Sequence, residues 1–397
     1  MFRRKQFRII GISDSHSQEM TREMRDIIAS SRVFSGGRRH HEIMQPYLPE
    51  GYEWIEITVP LSDVIGTYGR YDDIVVFASG DPLYYGFGAT LQREFPDADI
   101  KVYPTFNSIQ MLAHRLMLPY QDIVGTSVTG RPWKGLDDAL IAGNRLIGVL
   151  TDRKKGPAEI AARMLEYGYD NYTMSVGVAL GNDTDERVYP HLSLSEVAST
   201  TFPHPNCVIL HRTAIRPHHL GIPEQDFHHL DGREKMITKM PIRLVSLAML
   251  ELGSRHTMWD VGYCTGSVSI EARLQFPHLD ITAFEKRTEC EELLRLNTRR
   301  HGVPDITGVI GDFFETNLSV YPAPDAVFIG GHGGRLAEML TSIDRVLNPG
   351  GVIVFNSVSD ESCREFEETI RSLGRTVTER HRIALDSHNP ITILKAQ

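Results

Sequence analysis

The sequence is poor in cysteine, has no long apolar run and carries no excess of positive charge, and each lack removes a class of protein. Its four cysteines, Cys207, Cys264, Cys290 and Cys363, are scattered over 397 residues with no CxxC pair. That spacing excludes a disulfide scaffold and a zinc knuckle and suits free thiols, so no metal site is expected. No apolar stretch approaches the roughly 18 residues needed to cross a bilayer. The basic start at Arg3-Arg4-Lys5 leads only into the short run Phe7 to Ile12 and then Ser13-Asp14-Ser15-His16. No secretory signal develops there, and a cytoplasmic location without a membrane partner is expected. A net charge of -9 argues against a nucleic-acid partner held by a general basic field. Short repeats and low-complexity tracts are absent too.

The composition is that of a folded globular chain, 41% hydrophobic and 23% charged, and the length suggests two domains. Basic clusters such as Arg38-Arg39-His40-His41 and Arg299-Arg300-His301 read either as solvated surface or as anchors for an acidic small molecule. Arg38 and Arg39 are the candidate substrate contacts.

The first half alternates strand-like and helix-like segments. Phe7 to Ile12, Asp73 to Ala78, Ile100 to Tyr103, Arg145 to Leu150 and Thr173 to Ala179 read as strands, with helices at 18–31, 108–115 and 158–167. This alternation predicts a mainly parallel sheet, with ligand loops beyond the carboxyl ends of its strands. The pattern lapses between Ile215 and Glu234, where proline, glycine and the pairs His218-His219 and His228-His229 read as a solvated linker. The boundaries are therefore placed at 1–214, 215–235 and 236–397. The α/β pattern then restarts with a helix at 241–252, which Pro241 opens and Thr238 is placed to cap.

The strongest chemical signal lies at 257–331. The run Trp259-Asp260-Val261-Gly262-Tyr263-Cys264-Thr265-Gly266 follows a strand and opens a helix, so glycine turns bring backbone amides close to a ligand. The next strand ends in Phe284-Glu285-Lys286, where a carboxylate can accept both hydroxyls of a ribose. Gly311-Asp312 ends the strand after that, within reach of an adenine amino group, and Gly330-Gly331 ends the fourth. Together these predict a nucleoside cofactor. A dinucleotide loop wants G-x-G-x-x-G, whereas here Cys264 takes the middle position and Gly266 follows Gly262 by four residues. That favours S-adenosylmethionine.

These residues resemble the precorrin-6Y C(5,15)-methyltransferase (decarboxylating) family of cobalamin biosynthesis over nearly the whole chain. The second half carries the stretches WDVGYCTGSVSIEA (259–272), AFEKR (283–287), PDAVFIGG (324–331) and LNPGGVIVFNSV (347–358). The first half carries SGGRRHHE (35–42), ASGDPLYYGFG (78–88), PTFNSIQMLAHRL (104–116) and LGNDTDERV (180–188). The resemblance implies an α/β protein with an N-terminal tetrapyrrole-methylase-like domain and a C-terminal class I (Rossmann-like) methyltransferase domain. It implies one S-adenosylmethionine site per domain: Gly80, Asp81, Leu83, Ser108, Leu180 and Gly181 in the first. In the second it adds Thr238, Asp260, Gly262, Gly266, Glu285, Lys286, Gly311, Asp312, Gly330 and Gly331. It further implies methylation of a tetrapyrrole at C-5 by the first domain. The second would remove the C-12 acetate carboxyl and methylate C-15, with His332 as the candidate proton donor or else a solvated loop histidine. A homo-oligomer is expected. The first loop, Gly11-Ile12-Ser13-Asp14-Ser15-His16, departs from the family's G-x-G-P-G form. Two alternatives therefore stand beside this reading, an enzyme with one of the two activities and a non-catalytic corrinoid-binding protein.

Overall fold

The computed structural model describes residues 4–217, 220–385 and 389–397. Arg3 of the basic start, His218 and His219 lie outside the described residues. The chain divides into two compact units. One comprises Met1–Pro132, Arg145–Ala162 and Tyr172–Thr213; the other comprises Trp133–Asn144, Arg163–Asn171 and Ala214–Gln397.

The first unit opens with strands β1 (Gln6–Ile12), β2 (Val33–Gly36), β3 (Glu53–Glu56), β4 (Asp73–Ser79) and β5 (Asp99–Tyr103). They form an all-parallel sheet in the order β3-β2-β4-β1-β5. Helices α1 (Arg22–Ser30), α2 (Arg38–Met44), α3 (Leu61–Tyr68) and α4 (Phe87–Glu94) connect them. Central β1 and β4 are apolar on both faces, as a doubly covered parallel strand must be. Phe7, Ile9, Ile74 and Val76 pack to one side with Tyr68 and Leu91. Ile10, Ile12, Val75 and Phe77 pack to the other with Met24 and Ile28.

A second sheet follows, made of β6 (Ile123–Ser127), β7 (Leu146–Leu150), β8 (Tyr172–Val178), β9 (Arg187–Ser193) and β10 (Asn206–Arg212) in the order β6-β7-β10-β8-β9. Helix α5 (Ser108–Arg115) precedes these strands, and α6 (Lys134–Ile141), α7 (Pro157–Glu166) and α8 (Leu194–Ala198) fall between them in sequence, α6 and the end of α7 counting with the other unit. Only β6 and β7 run parallel; β10 is antiparallel to both β7 and β8, and β9 to β8. The expectation of a mainly parallel arrangement thus fails for this sheet. The connection 179–186 is too short for the dozen or more residues a parallel crossover requires. Asn182 closes it as a turn, its Oδ1 accepting from the amides of Thr184 (3.0 Å) and Asp185 (2.9 Å).

The second unit carries β11 (Thr257–Val261), β12 (Asp280–Glu285), β13 (Ile306–Ile310), β14 (Ala326–Ile329), β15 (Val352–Ser357), β16 (Val377–Ile383) and β17 (Ile391–Ala396). Their order is β13-β12-β11-β14-β15-β17-β16, parallel as far as β15, with β17 antiparallel to both of its neighbours. Helices α9 (Met240–Met249), α10 (Ser267–Gln275), α11 (Glu289–His301), α12 (Leu336–Asp344) and α13 (Asp360–Ser372) complete it. The strand order turns back between β11 and β14. In open α/β sheets the ligand crevice opens at that point.

Residues 215–235, read above as a solvated linker, belong to this unit and are partly packed. The amides of Gly221 (2.7 Å) and Ile222 (3.1 Å) donate to the Glu271 carboxylate, which is fully buried against Arg243 at 2.9 Å. Ile222 and Phe227 sit in a small core with Ile237, Ile270 and Val303. Thr238 does not cap α9: Lys239 holds that position and Pro241 is the second helical residue. Among the described residues no helix is long and apolar enough to cross a membrane, and no three His, Cys, Asp or Glu side chains group as metal ligands.

Candidate functional site

A cavity of about 710 Å³ opens over the carboxyl ends of β11, β12, β13, β14 and β15. Its first wall is the turn after β11, where Gly262 adopts a φ of 80°. A Cβ on Gly262 would meet the Gly331 amide nitrogen at 2.7 Å, so only glycine lets the two strand-end loops approach this closely. Cys264 is also left-handed, with φ of 46°. Its amide donates to Glu285 Oε2 at 3.2 Å. The other carboxylate oxygen, Oε1, accepts from the amides of Lys286 (2.9 Å) and Arg287 (3.2 Å) and from Arg287 Nη1 (2.9 Å). The side chain is only 3% exposed. Glu285 is therefore part of the cavity wall, held by backbone donors, with acceptor capacity left on Oε2.

Asp312 stands at the rim. Its Oδ1 accepts from the Phe314 amide at 2.9 Å, and Arg335 stacks over the Phe314 ring at 3.6 Å. Gly311 leaves open space where a Cβ would stand. An acceptor carboxylate at the end of β12, a second at the end of β13 and a glycine-lined floor fit the ribose and adenine of a nucleoside. Thr238, Gly262, Glu285, Lys286, Gly311, Asp312, Gly330, Gly331 and His332 all line this one cavity. Asp260 and Gly266 do not. Gly266 is left-handed at the start of α10, and a Cβ there would strike Leu294 at 2.4 Å, so its role is packing.

Asp260 sits beneath the turn, wholly buried. Its Oδ2 accepts from the amide (3.2 Å) and hydroxyl (2.6 Å) of Ser269, while Oδ1 has no partner. Burial pushes its pKa up to about 6. A folded value above the unfolded one, about 3.9, means the folded chain binds the proton more tightly. The stability that this adds is full below the unfolded value and is lost as pH rises through 4 to 6. Asp260→Asn keeps an acceptor for Ser269 and removes the charge. It should be more stable than the parent above pH 6 by about 2–3 kcal/mol, at about 1.4 kcal/mol per pH unit of displacement. The gap should close near pH 4. Denaturant midpoints at pH 4.5 and pH 8 check this; equal destabilisation at both would show that the carboxylate is needed as a charge.

The first unit has a smaller cavity, about 70 Å³, at the ends of β1 and β4 and against β8 and β10. Gly80, Ser108 and Leu180 line it, with Arg39, Asp14, Ser79 and Cys207. Asp81, Leu83 and Gly181 stand outside it. Asp81 Oδ1 accepts from the Leu83 amide at 2.9 Å and so shapes the turn, while Leu83 is 46% exposed. The two arginines also separate. Arg38 faces solvent and pairs with Glu42, whereas Arg39 reaches Asp14 at 3.2 Å and Ser79 Oγ at 3.1 Å. The loop after β1 is tied down further, Ser15 Oγ donating to Asp183 at 2.9 Å.

Sequence reasoning missed Asn297 and Asn356. Asn297 Nδ2 donates to the carbonyls of Thr265 (2.9 Å) and His228 (3.1 Å), which fixes the β11 turn to residues 221–229. Nothing in the local sequence marks Asn297, whose partners lie 32 and 69 positions away. Asn356 falls in the stretch 347–358, but its partner Ser246, 110 positions away, is what the stretch alone does not show.

Residues 6–198 match the family described as Tetrapyrrole (Corrin/Porphyrin) Methylases, and residues 227–396 match the Precorrin methyltransferase domain. Two methylase units in succession make the chain a two-part methyltransferase. The precorrin-6Y C(5,15)-methyltransferase (decarboxylating) of Sinorhizobium sp is 31% identical over 359 residues, which cover 89% of this chain and 84% of that protein. The chain belongs to the precorrin-6Y C(5,15)-methyltransferase (decarboxylating) family. Two Salmonella typhimurium proteins are similar to parts of it. The cobalt-precorrin-6B C(15)-methyltransferase (decarboxylating) is 33% identical over 162 residues, 41% of this chain and 83% of that protein. The cobalt-precorrin-7 C(5)-methyltransferase is 26% identical over 183 residues, 46% of this chain and 88% of that protein.

Proposed function

We propose that each unit holds its own S-adenosylmethionine. On this reading the first unit methylates C-5 of a precorrin-6Y-type macrocycle, and the second removes the C-12 acetate carboxyl and methylates C-15. The observation that carries it is the 710 Å³ cavity with the buried Glu285 carboxylate at the end of β12. The division of labour is supported by the two Salmonella relatives, each named for one of the reactions and each covering less than half of this chain.

The donor supplies an already activated methyl group, so the second unit has chiefly to place a ring carbon close and in line. In decarboxylation the bond between the acetate methylene and its carboxylate breaks and carbon dioxide leaves. The electron pair passes into the conjugated ring system, and a proton must reach the methylene carbon. His332 is the candidate proton donor. It lines the cavity after Gly331, its ring lies edge-on to Phe355 at 5.7 Å, and its buried Nδ1 has no partner. His332→Phe should slow formation of the decarboxylated product by about 100-fold or more, the usual scale of general acid catalysis, with donor affinity within twofold. A rate within threefold of the parent would assign the proton elsewhere.

At about 70 Å³ the first cavity does not admit the donor in this conformation, since ligand sites run to about 300–1,000 Å³. Incubation of the full chain with the macrocycle and methyl-labelled donor tests the whole assignment. Two labelled methyls and one carbon dioxide are expected per macrocycle, and only one labelled methyl once Glu285 is replaced.

A further inference from the structure

The first unit's cavity ends, on the β10 side, at Pro205, Asn206 and Cys207. β10 runs antiparallel to β7 with Cys207 opposite Leu150, and Thr151 Oγ1 continues the pairing, 2.6 Å from Asn206 Oδ1. Carried two residues further, that pairing sets Arg153 opposite His204, one residue from the cavity lining. The charges do meet there: burial, and then the Arg153 and Arg39 cations, hold the His204 pKa below its usual value. Arg39 itself lines the cavity. Three basic groups, from α2, the turn after β7 and the loop before β10, thus converge at its mouth.

The two arginines differ in what already holds them. Arg39 is engaged by Asp14 at 3.2 Å and by Ser79 Oγ at 3.1 Å. The Arg153 side chain is exposed and makes no hydrogen bond or ion pair among the described residues. Asp152 opposes the two cations at His204, but its oxygens are taken up by backbone. Oδ2 accepts from the Gly130 amide at 2.9 Å, and Oδ1 from the amides of Lys154 and Lys155, both at 2.8 Å. Those bonds fix the turn and with it the place of Arg153. Like charges gathered without a counter-charge are relieved when an anion binds among them. Phe106 lines the same cavity and is 53% exposed. An exposed aromatic face beside an unpaired guanidinium suits a flat conjugated ring that carries carboxylate arms.

We propose that Arg153 is a positioning and specificity residue of the first site, its guanidinium taking a side-chain carboxylate of the macrocycle while the ring lies against Phe106. The planar fork of an arginine presents two N–H donors to one carboxylate, which fixes direction as well as distance. The anchor itself needs no room inside the 70 Å³ cavity, because Arg153 and Phe106 are both exposed. The inference rests on the reading of the first unit as the C-5 site.

The test uses the full chain with Arg153→Ala, Arg153→Lys and Arg153→Glu. Arg22→Ala is the control for a lost surface charge, since Arg22 is exposed on α1 and pairs with Asp26. The macrocycle is incubated with methyl-labelled donor, the C-5 methyl is followed by NMR to give KM and kcat, and donor affinity is measured by calorimetry. Arg153→Ala should raise KM for C-5 methylation about tenfold, the lower range for a hydrogen bond between charged groups. Its kcat should stay within threefold and its donor affinity within twofold. Arg153→Lys keeps the charge without the paired donors and should raise KM by a smaller factor. Arg153→Glu should raise it further than alanine does, because it sets a carboxylate against a carboxylate. A KM within twofold for Arg153→Ala, or a glutamate variant no worse than alanine, would overturn the proposal. An equal rise in Arg22→Ala would overturn it too, reducing the effect to general attraction of an anion. Loss of donor binding in all three Arg153 variants would overturn it as a fold defect. Absence of any C-5 methyl from the parent would overturn the reading of the first unit, and the anchor with it.

Discussion

Glu285→Ala weakens S-adenosylmethionine binding at the second site by about ten- to a hundredfold and leaves the first site unchanged. A carboxylate whose Oε2 accepts one ribose hydroxyl makes a charge-assisted bond worth about 1.5–3 kcal/mol, and about 1.4 kcal/mol is a factor of ten. The competing account is that Glu285 serves only its ion pair with Arg287, at 2.9 Å. An exposed pair of that kind is worth about 0–1 kcal/mol, which would move affinity by less than about fivefold. Burial argues against it, because the carboxylate is enclosed and also holds the amides of Cys264, Lys286 and Arg287. Glu285→Gln separates geometry from charge. It keeps an acceptor for the wall and should bind the donor with intermediate affinity. Calorimetry on the full chain, with thermal unfolding as a control for fold, decides between the accounts.

Gly11→Ala destroys the first site and spares the second. Gly11 lies on β1 in ordinary extended backbone, so its need is steric rather than torsional. A Cβ there would lie 2.0 Å from the Gly80 carbonyl oxygen and 2.9 Å from the Thr105 nitrogen. Both are backbone atoms, tied to each other at 3.3 Å, and Gly80 N is itself bonded to the Ile12 carbonyl at 2.9 Å. No rotamer change relieves the overlap; β1 and the loop after β4 must separate. The expected cost is about 1–3 kcal/mol or more, with loss of donor binding in the first unit and of C-5 methylation. Carbon dioxide release should persist. Gly66→Ala is the control, since nothing lies within 4 Å of its Cβ and a helical alanine is favoured over glycine by about 0.5–1 kcal/mol. If both substitutions behaved alike, the close approach of Gly11 to Gly80 would not be what shapes the first site.

The second unit was legible because its signals are local. The strand ends read from Gly262, Glu285, Gly311 and Gly330 are those of the structure, where β11, β12, β13 and β14 close at Val261, Glu285, Ile310 and Ile329. β16 was not legible. Its run Val377-Thr378-Glu379-Arg380-His381-Arg382-Ile383 is charged and largely exposed at a sheet edge, and its pairing partner is β17. β9 is hidden by the same cause, exposed at a sheet edge, whereas β10 is a buried central strand whose antiparallel pairing depends on the distant β7 and β8. At the sites, glycines and carboxylates at strand ends announce themselves, and Glu285, Asp312 and Gly262 meet in one cavity. Adjacent arginines do not announce which faces inward. Arg38 and Arg39 are alike in sequence, and only the helical phase of α2 turns Arg39 toward Asp14 and Ser79. Residues 215–235 read as a linker because the buried partners of Gly221 and Ile222 come from Glu271, some fifty positions away.

The central claim, two donor sites in one chain, is tested most directly by calorimetric titration of the full chain with S-adenosylmethionine, alone and with each site altered. The account predicts two sites per chain in the parent. Gly11→Ala should leave one site of unchanged second-unit affinity, and Glu285→Ala should leave the other. A single site in the parent that Glu285→Ala abolishes, or two sites that respond together to either substitution, would contradict it.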